Sequence, residues 1–281
     1  MVCGCERSRF EAMTRPRPYQ PDTQDIVVVR AGRIATLTMS RPDDQNRLTP
    51  DALAKLEVVA ADLAHDDEIQ VVIITGEGNT TFSMGILPPS LRESLPKEDV
   101  IAIVRLANRA FNAIDALPQI VIACLNGMTR GGAAELALAC DIRVAADSAM
   151  WCFPEATWGG FPGAGGPTRL ATAVGRARAL ELMCTSREID AREMDRIGLI
   201  QAVYPAAQFK EMCLAFAQRI AAAGPLATRG AKRIVRTRLE PGSAAAHELA
   251  DSLRYSLEWS HDVAEGLKAD REGRQPNFVG R

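Results

Sequence analysis

The sequence predicts an α/β fold, because strand-like and helix-like segments alternate along most of the chain. Two apolar runs, residues 70–75 (QVVIIT) and 119–125 (QIVIACL), have the length and β-branched content of buried strands, and a glycine follows each within two residues. An amphipathic helix is predicted between them, near residues 99–116. From about residue 206 the pattern is helical, so we expect a strand-and-helix core followed by a helical C-terminal region.

The first elements of the core are a hairpin and a helix. Residues 26–30 (IVVVR) and 33–39 (RIATLTM) are β-branched runs joined by Ala31 and Gly32, which predicts two antiparallel strands. Thr49 is the expected N-cap of the next helix, because Pro and Asp follow it. The sequence then divides into a flexible N-terminal tail at 1–25, a core at 26–205 and a helical region at 206–281.

Composition excludes several classes of function. The formal net charge is −2 over 281 residues, so the chain has no basic footprint for nucleic acid. No apolar run reaches the roughly 18 residues that a membrane span needs. Seven cysteines are an odd number, and the four in apolar segments are expected to be reduced core thiols of a cytoplasmic protein: Cys124, Cys140, Cys184 and Cys213.

The usual nucleophilic and metal motifs are absent from the sequence. The three histidines (His65, His247 and His261) have no Ser or Cys motif beside them, and neither HExxH nor GxSxG occurs. The loop GGFPGAGG at 159–166 matches no nucleotide-binding pattern and is expected to be a tight turn that allows close backbone approach. Acid and base chemistry therefore falls to carboxylates.

Two glutamates lie in apolar surroundings, Glu135 in RGGAAELALACD and Glu155 in MWCFPEATWGG. A helix beginning near Gly132 would present unbonded backbone N–H groups, which favour an anion or a developing oxyanion, one turn from Glu135. Alternatively, Glu135 only caps its own helix. On these residues alone both interpretations stay open.

Two long blocks carry a resemblance to a known family. LNGMTRGGAAELALACDIRVA (125–145) and FPEATWGGFPGAGGPTRLATAVGRARALELM (153–183) resemble the enoyl-CoA hydratase/isomerase (crotonase) superfamily. SRPDDQNRLT, GEGNTTFSMG and EGLKADREGRQPNF fit the same family in the same order, so the resemblance covers roughly residues 26–279.

The resemblance implies a spiral of ββα units with a C-terminal helical region that drives trimer formation. It also implies an acyl-CoA thioester substrate, no metal and no cofactor other than the coenzyme A of the substrate. We expect a homotrimer or homohexamer, with no nucleic acid or membrane partner. Apolar residues on several faces of the predicted helix after residue 206 support such an assembly: Phe209, Met212, Leu214, Phe216 and Ile220.

The resemblance also assigns site residues. The backbone N–H groups of Ile86 and Gly132 would form the oxyanion hole, and Glu135 and Glu155 would be the catalytic carboxylates. Hydratases of the family carry both glutamates, so we expect closest similarity to enoyl-CoA hydratases. The remaining substrate-binding residues would be Arg47, Ser83, Met84, Gly85, Leu87, Gly131, Pro154 and Trp158.

The sequence departs from the family pattern around the expected acyl pocket. Leu87 stands where an Asp is usual, and Pro88 and Pro89 follow it, which should reshape the next helix. With Ile86 and Trp158 these residues predict a narrow pocket for an apolar or aromatic acyl group. Other departures are Asp43, Arg130, Ala133 and Asp270.

Three functions remain as hypotheses. The first is hydration of a 2-enoyl-CoA thioester. The second is another crotonase reaction, such as double-bond isomerisation or hydrolysis of a carbon–carbon bond. The third is a non-catalytic member of the family, against which the retained pair of glutamates argues.

Overall fold

The computed structural model describes residues 24–239, 251, 252, 255 and 258–276. Residues 1–23 of the predicted tail lie outside the described residues, and so does His247. In chain order the strands are β1 (Ile26–Ala31), β2 (Ile34–Met39), β3 (Val71–Gly76), β4 (Thr81–Ser83), β5 (Ile120–Leu125), β6 (Met128–Arg130), β7 (Ile142–Ala146), β8 (Met150–Cys152), β9 (Ile189–Asp190) and β10 (Ala202–Tyr204).

Helices follow or separate these strands. They are α1 (Pro50–Leu63), α2 (Pro89–Ser94), α3 (Lys97–Asp115), α4 (Gly132–Leu138), α5 (Gly166–Val174), α6 (Arg176–Thr185), α7 (Ala191–Arg196), α8 (Phe209–Ala221), α9 (Pro225–Leu239) and α10 (His261–Glu272). Short 3₁₀ turns occur at Pro42–Asp44, Glu155–Trp158 and Ala206–Gln208. Within the described ranges, none of the helices is long and apolar enough to cross a membrane.

Two sheets run through the molecule, and the chain alternates between them. The larger has the order β1-β2-β3-β5-β7-β10, in which β1 and β2 form the predicted antiparallel hairpin and the other neighbours are parallel. The smaller has the order β4-β6-β8-β9. Because β3, β5 and β7 in the larger sheet are each followed by β4, β6 and β8 in the smaller one, the expected spiral of strand–strand–helix units is confirmed.

The hydrophobic pattern accounts for the central strands. β3 and β5 are almost entirely buried, as expected for parallel strands that are covered on both faces. The predicted cap of α1 is also present, since Thr49 Oγ1 accepts a hydrogen bond from the Ala52 N–H at 3.0 Å.

A buried asparagine joins the two sheets at the end of β5. The Asn126 side chain accepts from the Gly76 N–H at 3.1 Å and donates to the carbonyls of Gly78 and Thr81 at 3.0 and 3.1 Å. Next to it, a Cβ on Gly127 would lie 2.0 Å from the Thr80 carbonyl oxygen, so only glycine fits. These contacts hold the start of β4 close to the start of β6.

The helical C-terminal region covers the core in two places. α8 packs on the larger sheet through Phe209, Cys213 and Ala217, so part of the apolar surface that was expected to meet other subunits is buried within the chain. α10 instead packs against the 3₁₀ turn at Glu155–Trp158 and against α2. A Cβ on Gly266 would lie 2.4 Å from the Trp158 backbone, which shows how closely α10 approaches that turn.

One cysteine prediction is wrong. Cys124, Cys140 and Cys213 are buried free thiols as expected, but Cys184 is exposed, because it lies near the end of α6 on a face that does not pack on the core. Cys152, which the sequence pattern did not single out, is buried in its place. Burial raises the pKa of Cys152 to about 11 and that of Cys140 to about 12.

This difference predicts selective alkylation. A thiol reacts as the thiolate, which forms only as the pH rises towards the pKa of that thiol. At pH 8, iodoacetamide should therefore label Cys184 well before Cys140 or Cys152 in the native protein. Peptide mass spectrometry after timed labelling measures the rates, and labelling in urea provides the control. Equal rates for Cys152 and Cys184 in the native state would contradict the buried placement.

Candidate active site

Both glutamates line one cavity of about 270 Å³. The cavity lies beyond the ends of β4 and β6, where the chain turns towards α2 and α4. Ten of the predicted site residues line it: Arg47, Met84, Ile86, Leu87, Gly131, Gly132, Glu135, Pro154, Glu155 and Trp158. The pocket residues Pro88 and Pro89 line it as well.

Ser83 and Gly85 do not line the cavity but build the turn beside it. Ser83 is fully buried, and its Oγ accepts a hydrogen bond from the Gly85 N–H at 3.1 Å. Gly85 has φ +85°, and its carbonyl accepts from the Leu48 N–H at 2.9 Å. These two residues therefore set the direction in which the Ile86 N–H points.

Two backbone amides are brought together next to this turn. β4 and β6 pair in parallel, so the segments that follow them run side by side, and a Cβ on Gly85 would lie 3.1 Å from the Gly132 nitrogen. In the part of the chain that the structure describes, no acceptor is bonded to the N–H of Ile86 or of Gly132. Two such donors can stabilise negative charge on one oxygen atom.

Glu135 projects from the first turn of α4, and its carboxylate binds the start of another helix. Its side chain is 3% exposed, and Oε1 accepts from the backbone N–H groups of Ala164 at 2.6 Å and Gly166 at 2.9 Å. Gly166 begins α5, so the carboxylate lies at the positive end of another helix. These two donors replace part of the hydration that the buried carboxylate has lost, and they join α4 to the start of α5.

Glu155 begins the 3₁₀ turn at Glu155–Trp158 and is also buried. Its Oε1 would lie 2.8 Å from a Cβ on Gly131, so the carboxylate lies close to the residue that precedes the Gly132 amide. The turn is supported from outside by α10, since a Cβ on Gly159 would meet the Asp262 carbonyl at 2.6 Å. The second carboxylate is thus held by the C-terminal helix.

Two arginines lie near the turn that follows β4. Arg47 donates to the Met84 carbonyl at 3.0 Å, and Arg130 donates to the Cys152 sulfur at 3.2 Å. Burial lowers the pKa of Arg47, with a smaller contribution in the same direction from the Arg130 charge and an opposing one from Asp44. A bound anionic group beside Arg47 and Arg130 would relieve their repulsion.

The cavity wall contains a residue that the sequence did not indicate. The helix α2 begins at Pro89 with Pro88 as its N-cap residue, and it carries Arg92 into the cavity wall. Arg92 is 6% exposed and forms a buried ion pair with Glu258. Burial lowers the pKa of Arg92, while the charges of Glu258 and Glu155 raise it.

Known proteins are similar to this chain in sequence and in fold. A family model described as enoyl-CoA hydratase/isomerase matches residues 30–281. A putative enoyl-CoA hydratase/isomerase of Bacillus subtilis is 34% identical, over 91% of this chain and 98% of that protein. A 2,3-dehydroadipyl-CoA hydratase of Escherichia coli is 32% identical, over 92% of this chain and 99% of that protein.

The chain belongs to the enoyl-CoA hydratase/isomerase family. The crystal structure of an enoyl-CoA hydratase from Mycobacterium avium subsp. paratuberculosis superposes with a TM-score of 0.81 at 28% identity, over 92% of this chain and 99% of the other. The fold is therefore the crotonase fold, as the resemblance implied.

Several residues that line the cavity were not predicted from the sequence: Arg92, Val104, Phe161, Gly163 and Ala164. Three of them belong to GGFPGAGG, which was expected only to be a tight turn. The available signal was that this loop follows Glu155 closely and ends where a helix begins, which places backbone N–H groups near a carboxylate. Arg92 carried no such signal, because SLRES reads as an ordinary exposed helix.

Gly131 provides a test of the site geometry. It has φ +56° and ψ −123°, and a Cβ there would contact the Glu155 carboxylate at 2.8 Å. Gly131→Ala should therefore cost about 1–3 kcal/mol of stability from backbone strain and should displace Glu155. Urea unfolding and turnover of an enoyl-CoA thioester are the measurements.

Gly175→Ala is the matched control, because Gly175 also has positive φ but no atom lies within 4 Å of its added Cβ. It should lose stability by a similar amount and keep its turnover. Full turnover by Gly131→Ala would contradict the placement of Glu155 against Gly131.

Proposed function

We propose that this protein adds water across the 2,3 double bond of a 2-enoyl-CoA thioester. The observation that supports the proposal is the presence of two buried carboxylates, Glu135 and Glu155, in one cavity with the unbonded N–H groups of Ile86 and Gly132. Relatives named as enoyl-CoA hydratases support the same reaction. The reaction needs no cofactor apart from the coenzyme A of the substrate.

The two amides act on the thioester. When its carbonyl oxygen accepts hydrogen bonds from Ile86 and Gly132, electron density moves from the double bond towards that oxygen as water attacks C3. The developing enolate charge is stabilised by donors that are already in place, which is the situation in which such hydrogen bonds lower a barrier most.

The carboxylates handle the water and the protons. Glu135, which accepts hydrogen bonds from the Ala164 and Gly166 amides, orients the water and accepts its proton as the oxygen–carbon bond forms at C3. Glu155 delivers a proton to C2, which collapses the enolate to the 3-hydroxyacyl thioester. One proton is taken and one is given, so the pair of glutamates is reset by exchange of a proton between them or with solvent.

Replacing each carboxylate by its amide tests these roles. Glu135→Gln keeps an oxygen that can accept from Ala164 and Gly166, so folding should be preserved. Hydration should fall by roughly 10²- to 10⁴-fold in Glu135→Gln and in Glu155→Gln, because each variant loses one acid–base group. Loss of absorbance of the conjugated thioester, measured with crotonyl-CoA and longer 2-enoyl-CoA substrates, gives the rates.

The pattern of losses separates hydration from isomerisation. Double-bond isomerisation can proceed on one carboxylate, so Glu135→Gln should keep any isomerase activity while Glu155→Gln loses both. Glu57→Gln is the control and should be unaffected, because Glu57 is an exposed carboxylate that pairs with Arg109 and neither residue lines the cavity. Hydration at the wild-type rate by Glu135→Gln would show that this carboxylate only caps α5, and it would remove the main support for the proposal.

We also propose that the protein works as a homotrimer or homohexamer. In the described residues, α9 exposes large apolar side chains, with Leu226 84% and Ile234 72% exposed and Val235 also exposed. A helix that exposes this much apolar surface is expected to bury it against another subunit. The support therefore comes more from α9 than from α8, whose apolar residues partly pack on the chain's own sheet.

Light scattering tests the assembly. The wild type at micromolar concentration should have the mass of a trimer or hexamer, and Leu226→Glu with Ile234→Glu should shift it towards a smaller species, because two charges would be buried in the interface. Val58→Glu, on the exposed surface of α1, is the control. A monomeric wild type would contradict the proposal.

A further inference from the structure

Two nitrogens of the buried arginine in the cavity wall differ in their hydrogen bonding. Arg92 Nη2 donates to Glu258, and both side chains are almost completely buried. Among the residues that the structure describes, Arg92 Nε has no hydrogen-bond partner although it is buried. A buried donor without an acceptor is costly, so its presence in the wall of a ligand cavity points to an acceptor on the ligand.

The charges around Arg92 limit what that acceptor can be. Glu258 already balances the charge of Arg92 in a buried ion pair, and the rest of the cavity wall carries both signs of charge, with Arg47 and Arg130 set against Glu135 and Glu155. A substrate carboxylate would therefore meet no net positive charge at this place, and burying it would be costly. A neutral oxygen would accept the hydrogen bond without that cost.

The rest of the wall near Arg92 is apolar. Leu87, Pro88, Pro89, Val104 and Phe161 line the same cavity. An acyl group that fits this surface is largely hydrocarbon, with a single polar atom opposite Arg92. A fully apolar acyl group would leave the buried Nε donor unsatisfied, which would weaken its binding relative to an oxygen-bearing analogue of the same length.

We propose that Arg92 is a specificity-determining residue, and that the preferred acyl group is mainly apolar and carries a neutral hydroxyl or carbonyl oxygen that accepts a hydrogen bond from Arg92 Nε. The proposal deepens the proposed function and rests on it, since it concerns the acyl group of the same thioester. It does not require any change in the roles of Glu135 and Glu155.

Binding of saturated thioesters tests the proposal without any reaction. The probes are hexanoyl-CoA, hexanoyl-CoA with a hydroxyl at carbon 4, 5 or 6, and adipyl-CoA, which ends in a carboxylate. Isothermal titration of the full-length protein should show that at least one hydroxylated thioester binds about 10-fold tighter than hexanoyl-CoA, as expected for a hydrogen bond to a charged donor. Adipyl-CoA should bind more weakly than that thioester.

The variant must remove Arg92 without leaving Glu258 as an unpaired buried charge. Arg92→Met with Glu258→Leu does so, because exchange of a buried ion pair for apolar residues is often tolerated. This double variant should bind hexanoyl-CoA about as well as the wild type and should lose the 10-fold preference. Lys232→Met with Asp141→Asn removes a different buried pair, outside the cavity, and should keep the preference.

Four results would overturn the proposal. They are no gain from any hydroxyl position, a gain that persists in the double variant, tightest binding of adipyl-CoA, or an equal loss of affinity for every thioester in the double variant, which would indicate a purely structural role. A protein that binds these thioesters with the expected preference but does not hydrate enoyl-CoA would support the inference and contradict the proposed function. The two proposals therefore fail separately.

Discussion

The site depends on the hydrogen bonds between the Glu135 carboxylate and the start of α5. A buried carboxylate is unfavourable unless donors replace the water it has lost, and the N–H groups of Ala164 and Gly166 do this at 2.6 and 2.9 Å. The same contacts join α4, which follows β6, to the loop that follows the Glu155 turn. One interaction thus stabilises a charge and brings together two chain segments that carry the chemistry.

Close backbone approach is the second constraint, and it explains why glycines cluster here. A Cβ on Gly132 would lie 2.5 Å from the Ile86 side chain, which would have to move, and a Cβ on Gly166 would lie 2.9 Å from Glu135 Oε1. A side chain at position 132 would displace the Ile86 side chain, and one at position 166 would push the Glu135 carboxylate from its donors. The main role of these glycines is therefore to let functional groups lie close together, and not to make the loops flexible.

Local patterns predicted most of the fold and the two glutamates of the site, whereas the roles of the other site residues came from the resemblance to the family. The buried strands, the Thr49 cap and the helix start at Gly132 follow from periodicity and capping, which are properties of neighbouring residues. Glu135 and Glu155 could be found because a carboxylate in apolar sequence is unusual. Arg92 could not, since its burial depends on Glu258, which is 166 positions away, and no local pattern reports such a partner.

Contacts between residues far apart in the sequence also show what the C-terminal region contributes to the site. Glu258 holds Arg92 at one part of the cavity wall, and α10 supports the turn that carries Glu155 through the close contact of Gly266 with the Trp158 backbone. Both contacts come from the C-terminal helical region, which the sequence analysis treated as separate from the core. Because these contacts support two residues that line the cavity, Arg92 and Glu155, the C-terminal region contributes to the candidate active site as well as being a candidate surface for assembly. Changes in α10 should therefore alter acyl selectivity even where they touch neither glutamate.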